Sequence, residues 1–223
     1  MGKIKEMKVD EVILYSNAIN EQKQFYHAVL GLELLIDEES QVAFKIGRSI
    51  LRFIYRKCFY PSHVAFNIPF AAVEEAKSWL EQRVFILKFE GKPISEFVNW
   101  KARAIYFHDH DKNIIEFIGR KRIKAEYKPP FIISDLLSIS EVALASENIE
   151  TSYRTLNAMK PLPLFFGDFN SFCAAGDDEG LFILVDKNRK LWYPTMTPVY
   201  KADFGVRGDY NFNYEAGKIK ELL

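Results

Sequence analysis

The chain has 223 residues, of which 48% are hydrophobic and 27% are charged, and its 30 Lys and Arg residues balance its 30 Asp and Glu residues. This composition excludes a disordered chain, a collagen-like chain and a coiled coil. No apolar run approaches the roughly 20 residues that a membrane helix needs. Because the net charge is zero, no overall field attracts nucleic acid or an anionic membrane.

The ends and the cysteines bear on the cellular compartment. The N-terminal residues have no apolar stretch behind their lysines, as a secretory signal would require. The two cysteines, Cys58 and Cys173, are far apart and lack the spacing of a metal site. We therefore expect a cytoplasmic protein with reduced cysteines, no membrane partner and no nucleic-acid partner.

Three segments of the chain begin alike. Residues 11–16, 63–68 and 141–146 read EVILYS, HVAFNI and EVALAS, which is the alternating pattern of short strands. Each segment precedes a helical stretch of about a dozen residues. The helices are expected over residues 20–30, 71–82 and 148–159.

Each of these units also closes with a matching strand. The closing strands are residues 49–54, 113–118 and 180–185, and further β-rich runs lie before them. The chain is therefore predicted to be an α+β protein with three βαβββ units. Three segments fall outside the repeat, namely an insertion at residues 88–100, a basic connector at 120–130 that we expect to be solvated, and a tail from residue 203.

The units are expected to pair. One unit cannot close a sheet, whereas two side by side can curl a mostly antiparallel sheet into a cup with the helices outside. We expect the first two units to form such a domain over residues 1–125, and the third unit and the tail to occupy residues 126–223. The mouth of the cup is the natural place for a ligand.

Strand alternation predicts which side chains face the cup. Side chains of a strand alternate between two faces, and the more apolar face should cover the helices. This rule, applied to four strands, sends one set of polar residues to one concave surface. The set is Glu11, Arg52, His63 and Glu116. Charged side chains at equivalent places among apolar neighbours do not suit a packed core, so they indicate a site.

The order of local motifs resembles a known superfamily. The helix end FYHAVLGLEL at residues 25–34 is followed by SHVAF at 62–66 and by the hairpin FHDHDKNIIEF at 107–117. Together these segments resemble the vicinal oxygen chelate superfamily, which includes glyoxalase I, bleomycin-resistance proteins and extradiol dioxygenases. The hairpin departs from the usual pattern at His110, where Pro is usual, and at Lys112, where Gly is usual.

The resemblance implies a ligand set for a divalent metal. The ligand positions of that superfamily correspond to Glu11, His63 and Glu116, and the fourth position, often Glu in the isomerases, is Arg52. The dioxygenases use three positions, usually two His and one Glu, so this set matches neither group. One imidazole and two carboxylates suit Mn, Fe(II), Ni or Zn. Glu141, in the third unit, has only Ile183 as its partner, so no second metal site is expected.

Two functions remain open on this pattern. In the first, the protein is a metal-dependent lyase, isomerase or ring-cleaving enzyme for a small oxygenated molecule, with Glu116 as a catalytic ligand and Glu11 as a third ligand or general base. In the second, Arg52 forms ion pairs with the carboxylates and repels a cation. The protein is then a metal-free binding protein of the bleomycin-resistance type.

Further residues are candidates for contacts with a small-molecule ligand. Strand alternation places Tyr15 and Asn67 in the cup beside Arg52, and Tyr106 and Trp100 follow from the second unit. The alternative for these rings is simple packing. Because three units are an odd number for a fold built from pairs, the bare edge of the third predicts a homodimer. The alternatives are that the third unit packs on the back of the first two, or that the tail from residue 203 covers it.

Overall fold

The computed structural model describes residues 6–222, and the first five residues of the predicted first domain lie outside that range. The first unit is a strand, a helix and three strands. Its elements are β1 (Val9–Ser16), α1 (Ile19–Lys23) with a π-helical continuation (Gln24–Val29), β2 (Leu34–Glu38), β3 (Gln41–Ile46) and β4 (Ser49–Tyr55). Gly31 follows the helix with φ of 77°, the left-handed conformation that ends many helices.

The second unit has the same order with an inserted strand. Its elements are β5 (His63–Ile68), a 3₁₀ turn (Phe70–Ala72), α2 (Val73–Glu81), β6 (Ile86–Leu87), β7 (Ser95–Phe97), a 3₁₀ turn (Val98–Trp100), β8 (Ala102–His108) and β9 (Ile114–Arg120). The predicted insertion at 88–100 thus contains β7 and the turn that follows it.

The third unit follows a short 3₁₀ turn and leads into the tail. Its elements are β10 (Ser138–Ser146), α3 (Ile149–Met159), β11 (Leu164–Gly167), β12 (Phe172–Gly176) and β13 (Leu181–Asp186). A hairpin and three more strands follow, namely β14 (Leu191–Trp192), β15 (Thr197–Pro198), β16 (Phe204–Gly208), β17 (Phe212–Glu215) and β18 (Lys218–Glu221). The α+β class and the three βαβββ units are confirmed.

The predicted pairing of the first two units is wrong. The second unit pairs with the third in a sheet of order β11-β12-β13-β10-β5-β9-β8-β6 with β7 beside β8, which we call the large sheet. The first unit pairs with the tail in a sheet of order β18-β17-β16-β1-β4-β3-β2, which we call the small sheet. The large sheet therefore crosses the boundary that was predicted after residue 125.

The burial of the strands agrees with the pairing of the second unit with the third. All residues of β5 and β10 are buried, as befits two central strands that pair with each other. In β1 the inward residues Glu11, Ile13 and Tyr15 are only half-buried, because the concave face of the small sheet is open. The edge of β1 is paired by β16 from the tail, a segment whose pattern showed no strand.

The two sheets share one core between them and the helices. Its members come from both sheets, for example Val12, Phe53, Phe66, Phe117 and Phe182, all with essentially no exposed surface. In the four strands to which the alternation rule was applied, the outward residues join this core, whereas inward residues such as Ala65 and Ile118 belong to a separate cluster, so the rule is confirmed there.

One hydrogen bond at Ser49 and a close backbone approach at Gly47 join the small sheet to β10 and the segment just before it. Ser49 Oγ donates to the carbonyl of Val9 at 2.6 Å and accepts from the amide of Ile139 at 3.0 Å. Gly47, with φ of 56°, lies so close to the residues before β10 that a Cβ would meet the Leu137 carbonyl oxygen at 2.2 Å. A side chain at Gly47 would therefore push this segment away.

The third unit is paired within its own chain, because its strand β10 pairs with β5, and β11 is its outer edge strand. The homodimer itself stays a prediction. No helix within residues 6–222 is long and apolar enough to cross a membrane.

Candidate functional site

Three titratable side chains meet over the middle of the large sheet. Strand β5 lies between β9 and β10, and its residue Ala65 pairs with Glu116 on one side and with Glu141 on the other. His63 lies two residues before Ala65 and therefore faces the same way. Because Ala65 is small, the two carboxylates can lean toward each other above it.

The distances within this group are short. One ligand atom from each of His63, Glu116 and Glu141 can be chosen so that all three lie within 4.8 Å of one another. The Nε2 atom of His63 is 3.4 Å from Glu116 Oε2 and 3.6 Å from Glu141 Oε2. His63 Nδ1 lies 3.0 Å from the carbonyl oxygen of Ile114, to which it can only donate. The ring is thereby held with Nε2 toward both carboxylates.

Burial and charge determine the protonation of these groups. Burial alone lowers the pKa of His63, but hydrogen bonds to Glu116 and Glu141 outweigh it and raise the pKa to about 10. Burial, with the charge of Glu141, raises the pKa of Glu116. For Glu141 burial acts upward, but the Arg120 guanidinium and His63 lower its pKa overall. Without a metal, His63 is therefore protonated on both ring nitrogens and positively charged at neutral pH.

Arg120 is the fourth charged member of the group. It ends β9, has no exposed surface, and forms a close ion pair through Nη2 with Glu141 Oε1. Its Nη1 donates to Ser140 Oγ at 3.0 Å, and its Nε finds no hydrogen-bond acceptor among residues 6–222. The expectation of a solvated connector from residue 120 is wrong at this position.

A cavity of about 530 Å³ opens above the group. Its floor includes His63, Glu116 and Glu141, and seven aromatic residues contribute to its wall. The rings are Phe97, Trp100, Tyr106, Phe166, Phe172, Trp192 and Tyr193. Such a cavity, apolar with a few convergent polar groups, is the usual form of a small-molecule site.

Two segments outside the regular units cover this cavity. The insertion supplies Phe97 and Trp100, and the β14–β15 hairpin places the Trp192 ring 6.0 Å from the His63 ring. The hydroxyls of Tyr193 and Ser95 are 2.6 Å apart, which joins the hairpin to the insertion. The cover therefore consists of two chain segments tied by one hydrogen bond.

Tyr106 is the polar group of the wall next to the carboxylates. It pairs with Glu116 across β8 and β9 and interacts with the Glu116 carboxylate. Burial, together with the charges of Glu116 and Glu141, raises its pKa well above the ordinary value. Tyr106 therefore remains a hydrogen-bond donor at neutral pH.

The predicted site residues fall into two groups. His63, Glu116, Tyr106 and Trp100 all line the cavity, as expected. Asn67 does not line it: its amide donates to Ser138 Oγ at 3.1 Å and to the Glu179 carbonyl at 3.2 Å, so it ties β5 to β10 and its neighbours.

Glu11, Arg52 and Tyr15 lie on the small sheet, away from the cavity. Arg52 binds Glu11 through Nε at 2.7 Å and Nη2 at 2.6 Å, and Tyr15 lies under the guanidinium of Arg56 at 3.3 Å. The prediction that Glu11 joins His63 and Glu116 is wrong, because it required the first two units to pair.

Glu141 takes the place that was predicted for Glu11. Its own unit offers only Ile183 at the closing strand, which predicted no site there, whereas its partners in the structure come from the second unit. The signal was present in the repeat: Glu141 aligns with His63 and Glu11 at the start of the three units.

Comparison with solved structures agrees with this architecture. A crystal structure from Bacillus subtilis described as a "putative dioxygenase" matches with a TM-score of 0.62 and 16% identity, covering 96% of this chain and 68% of that one. Two shorter proteins match about half of the chain. Lactoylglutathione lyase from Agrobacterium tumefaciens has a TM-score of 0.44 and 22% identity, over 50% of this chain and 92% of that one. A glyoxalase/dioxygenase from Nostoc punctiforme has a TM-score of 0.40 and 21% identity, over 52% of this chain and 92% of that one.

The match to the Bacillus subtilis structure, which covers nearly the whole chain, shows a shared fold. The chain has the fold of the vicinal oxygen chelate superfamily, in agreement with the motifs of its sequence. No protein-family model matches the chain, and no curated protein matches it.

Proposed function

We propose that the protein is a metal-dependent enzyme whose centre is formed by His63, Glu116 and Glu141. The observation that supports this proposal is the convergence of one imidazole nitrogen and two carboxylates on the floor of a ring-lined cavity. Buried carboxylates repel each other unless a cation lies between them. Arg120 compensates Glu141 in part, and either a positively charged His63 or a divalent cation can compensate the remaining charge.

The donor set fits a divalent metal. Nitrogen and oxygen ligands of this kind suit Fe(II), Mn, Ni or Zn and do not choose among them. The Nδ1 contact of His63 with the Ile114 carbonyl is the kind of outer contact that orients a metal-binding imidazole. When bound, the ion would supply Lewis-acid chemistry and hold two adjacent oxygen atoms of a substrate.

The protein side chains would orient the rest of the substrate. Trp192 and Trp100 offer ring faces for stacking against a flat molecule. Tyr106 would donate a hydrogen bond to a substrate oxygen near Glu116. The cover formed by the insertion and the hairpin would exclude water from the bound substrate.

The number of ligands favours ring cleavage over isomerisation. Ile183 pairs with Ala143 as Glu116 pairs with Ala65, so Ile183 occupies the fourth position of the ligand ring. In the superfamily, three positions are typical of the dioxygenases and four of the isomerases. We therefore infer a small aromatic molecule with adjacent hydroxyl groups as the substrate class, with molecular oxygen as co-substrate.

Metal analysis tests this proposal. The protein purified without chelator should contain up to one equivalent of a transition metal, and the metal-depleted protein should bind one equivalent of Mn²⁺ or Fe²⁺ by calorimetry. Catechol added to the metal-loaded protein should then bind, and with Fe²⁺ and oxygen it should yield a ring-cleaved product. Failure of the wild type to bind any of these metals would refute the proposal.

A metal-free binding protein is the second candidate, because the group can be neutral without a metal. Protonated His63 and Arg120 together balance Glu116 and Glu141. In that case the cavity would sequester a small aromatic compound. Binding of aromatic probes with equal affinity before and after metal depletion would favour this function.

A further inference from the structure

Glu141 uses its two oxygen atoms in different ways. Oε1 receives the Arg120 guanidinium, and Oε2 faces His63 Nε2 at 3.6 Å. An oxygen that already accepts from a guanidinium is the poorer metal ligand, so Oε2 is the better placed of the two. Arg120 therefore favours a single-oxygen contact between Glu141 and an ion at the centre of the group.

The total charge of the group also indicates a role for Arg120. Two carboxylates and a neutral imidazole cancel the charge of a divalent ion completely, whereas two neutral imidazoles and one carboxylate leave one positive charge. A guanidinium bound to one of the carboxylates restores that single positive charge. The set of His63, Glu116, Glu141 and Arg120 thus has the total charge of a centre with two histidines and one carboxylate.

Arg120 is poorly explained as a source of stability. Its side chain has no exposed surface, and its Nε has no hydrogen-bond acceptor in the described part of the chain, with Asp178 Oδ1 at 3.8 Å. Asp178 already accepts two hydrogen bonds from Arg122, at 2.6 and 3.0 Å. Buried ion pairs of this kind seldom stabilise a fold more than apolar side chains of the same volume would. An effect of Arg120 on the group of His63, Glu116 and Glu141 explains its buried position better than a contribution to stability does.

We propose that Arg120 is a positioning residue that limits Glu141 to one ligand oxygen and cancels its charge, so that a bound metal retains a positive charge toward substrate. This inference rests on the proposed metal centre. It explains how a set with one histidine and two carboxylates can serve an anionic substrate oxygen, which a fully neutralised ion would attract weakly.

The test uses Co²⁺ as the metal and azide as the anion, with four variants of the full chain. The variants are Arg120→Met, Arg120→Lys, Glu141→His and the double variant Arg120→Met/Glu141→His. Co²⁺ affinity is measured by calorimetry, azide affinity by the visible absorption of the bound Co²⁺, and folding by thermal unfolding of each metal-free protein.

The proposal predicts effects of opposite sign. Removing the guanidinium should raise Co²⁺ affinity and lower azide affinity, each by at least about tenfold, because one positive charge is lost beside the ion. Glu141→His should do the reverse. Arg120→Lys, which keeps the charge, and the double variant, which restores the balance, should bind azide within about threefold of the wild type.

If the role of Arg120 is purely structural, Arg120→Met should lower both the Co²⁺ affinity and the azide affinity. The double variant should then bind azide no better than Arg120→Met does. Either result would overturn the proposal. If Arg120→Met does not fold, the comparison of Arg120→Lys, Glu141→His and the double variant decides in the same way. Absence of Co²⁺ binding in the wild type would instead refute the metal centre itself. Co²⁺ binding that is equal in all folded proteins would refute only the role of Arg120.

Discussion

Glu116 and Glu141 belong to different βαβββ units, yet both pair with the single residue Ala65 and lie beside the same His63 nitrogen. The site is therefore a property of the junction between the second and third units. Neither unit carries it alone, and His63, Glu116 and Glu141 all come from the second and third units. Substitutions at these positions separate this arrangement from one centred on Glu11.

Glu116→Gln and Glu141→Gln should each weaken metal binding strongly, with Glu11→Gln as the matched control. Each of the first two changes removes a ligand charge without changing the volume of the side chain. The loss should exceed the roughly 10- to 100-fold that outer contacts of a metal site contribute. Titration of Mn²⁺ by calorimetry measures it. A large effect of Glu11→Gln, with none from Glu141→Gln, would contradict the assignment.

Arg52→Glu should leave metal affinity unchanged. On the expectation from sequence this change would complete a ring of four ligands and raise the affinity severalfold. In the structure Arg52 and Glu11 form a half-buried pair on the small sheet, with side-chain exposures of 27% and 15%. Two carboxylates would then face each other, which should lower the free energy of unfolding by roughly 1 kcal/mol. Denaturant unfolding and Mn²⁺ titration of the same samples measure both effects.

Lys112→Gly should stabilise the protein. Lys112 adopts φ of 67° in the turn between β8 and β9, a left-handed conformation that strains residues with a Cβ. The superfamily usually has Gly here, in agreement with this backbone. Relief of the strain, less the entropy of a free Gly, should raise the free energy of unfolding by about 0.5–1 kcal/mol. The neighbouring change His110→Gly serves as the control and should not stabilise.

Local patterns predicted the faces of the strands but not their partners. Val64 and Phe66 alternate with His63 because one face of β5 meets the helices, and that information lies within six residues. Which unit pairs with which depends on contacts between distant segments. The three units begin so similarly that Glu11 and Glu141 could not be told apart by the repeat alone.

The cavity wall could not be predicted in full, because part of it comes from segments whose sequence has no periodic pattern. Trp192 and Tyr193 lie on a hairpin whose strands have two residues each, too short for an alternating pattern. Arg120 was assigned to the connector because its neighbours Lys121 and Arg122 are charged. Its burial follows from the position of β9 beside β5 in the large sheet, which the composition of the connector does not reveal.

Asp109 links the first unit to the second and should make stability depend on pH. Its carboxylate accepts hydrogen bonds from Gln22 Nε2 at 3.1 Å, Tyr26 OH at 3.0 Å and both nitrogens of Asn113 at 2.8 and 2.9 Å. Burial raises its pKa from 3.8 to about 6, and the charge of Asp111 adds to this. The folded protein therefore binds this proton more tightly than the unfolded chain does.

The sign of the effect follows from that difference. Between the unfolded pKa near 4 and the folded pKa near 6, the folded state holds more protons, so the free energy of unfolding falls as the pH rises. A shift of about two pKa units corresponds to about 3 kcal/mol over that window.

Asp109→Asn should remove this part of the slope, although the lost acceptor will destabilise the protein by roughly 1–3 kcal/mol at every pH. Asp111→Asn should reduce the slope only partly. Urea unfolding from pH 3.5 to 7 in all three proteins measures the slopes, and an equal slope in the wild type and in Asp109→Asn would contradict the assignment to Asp109.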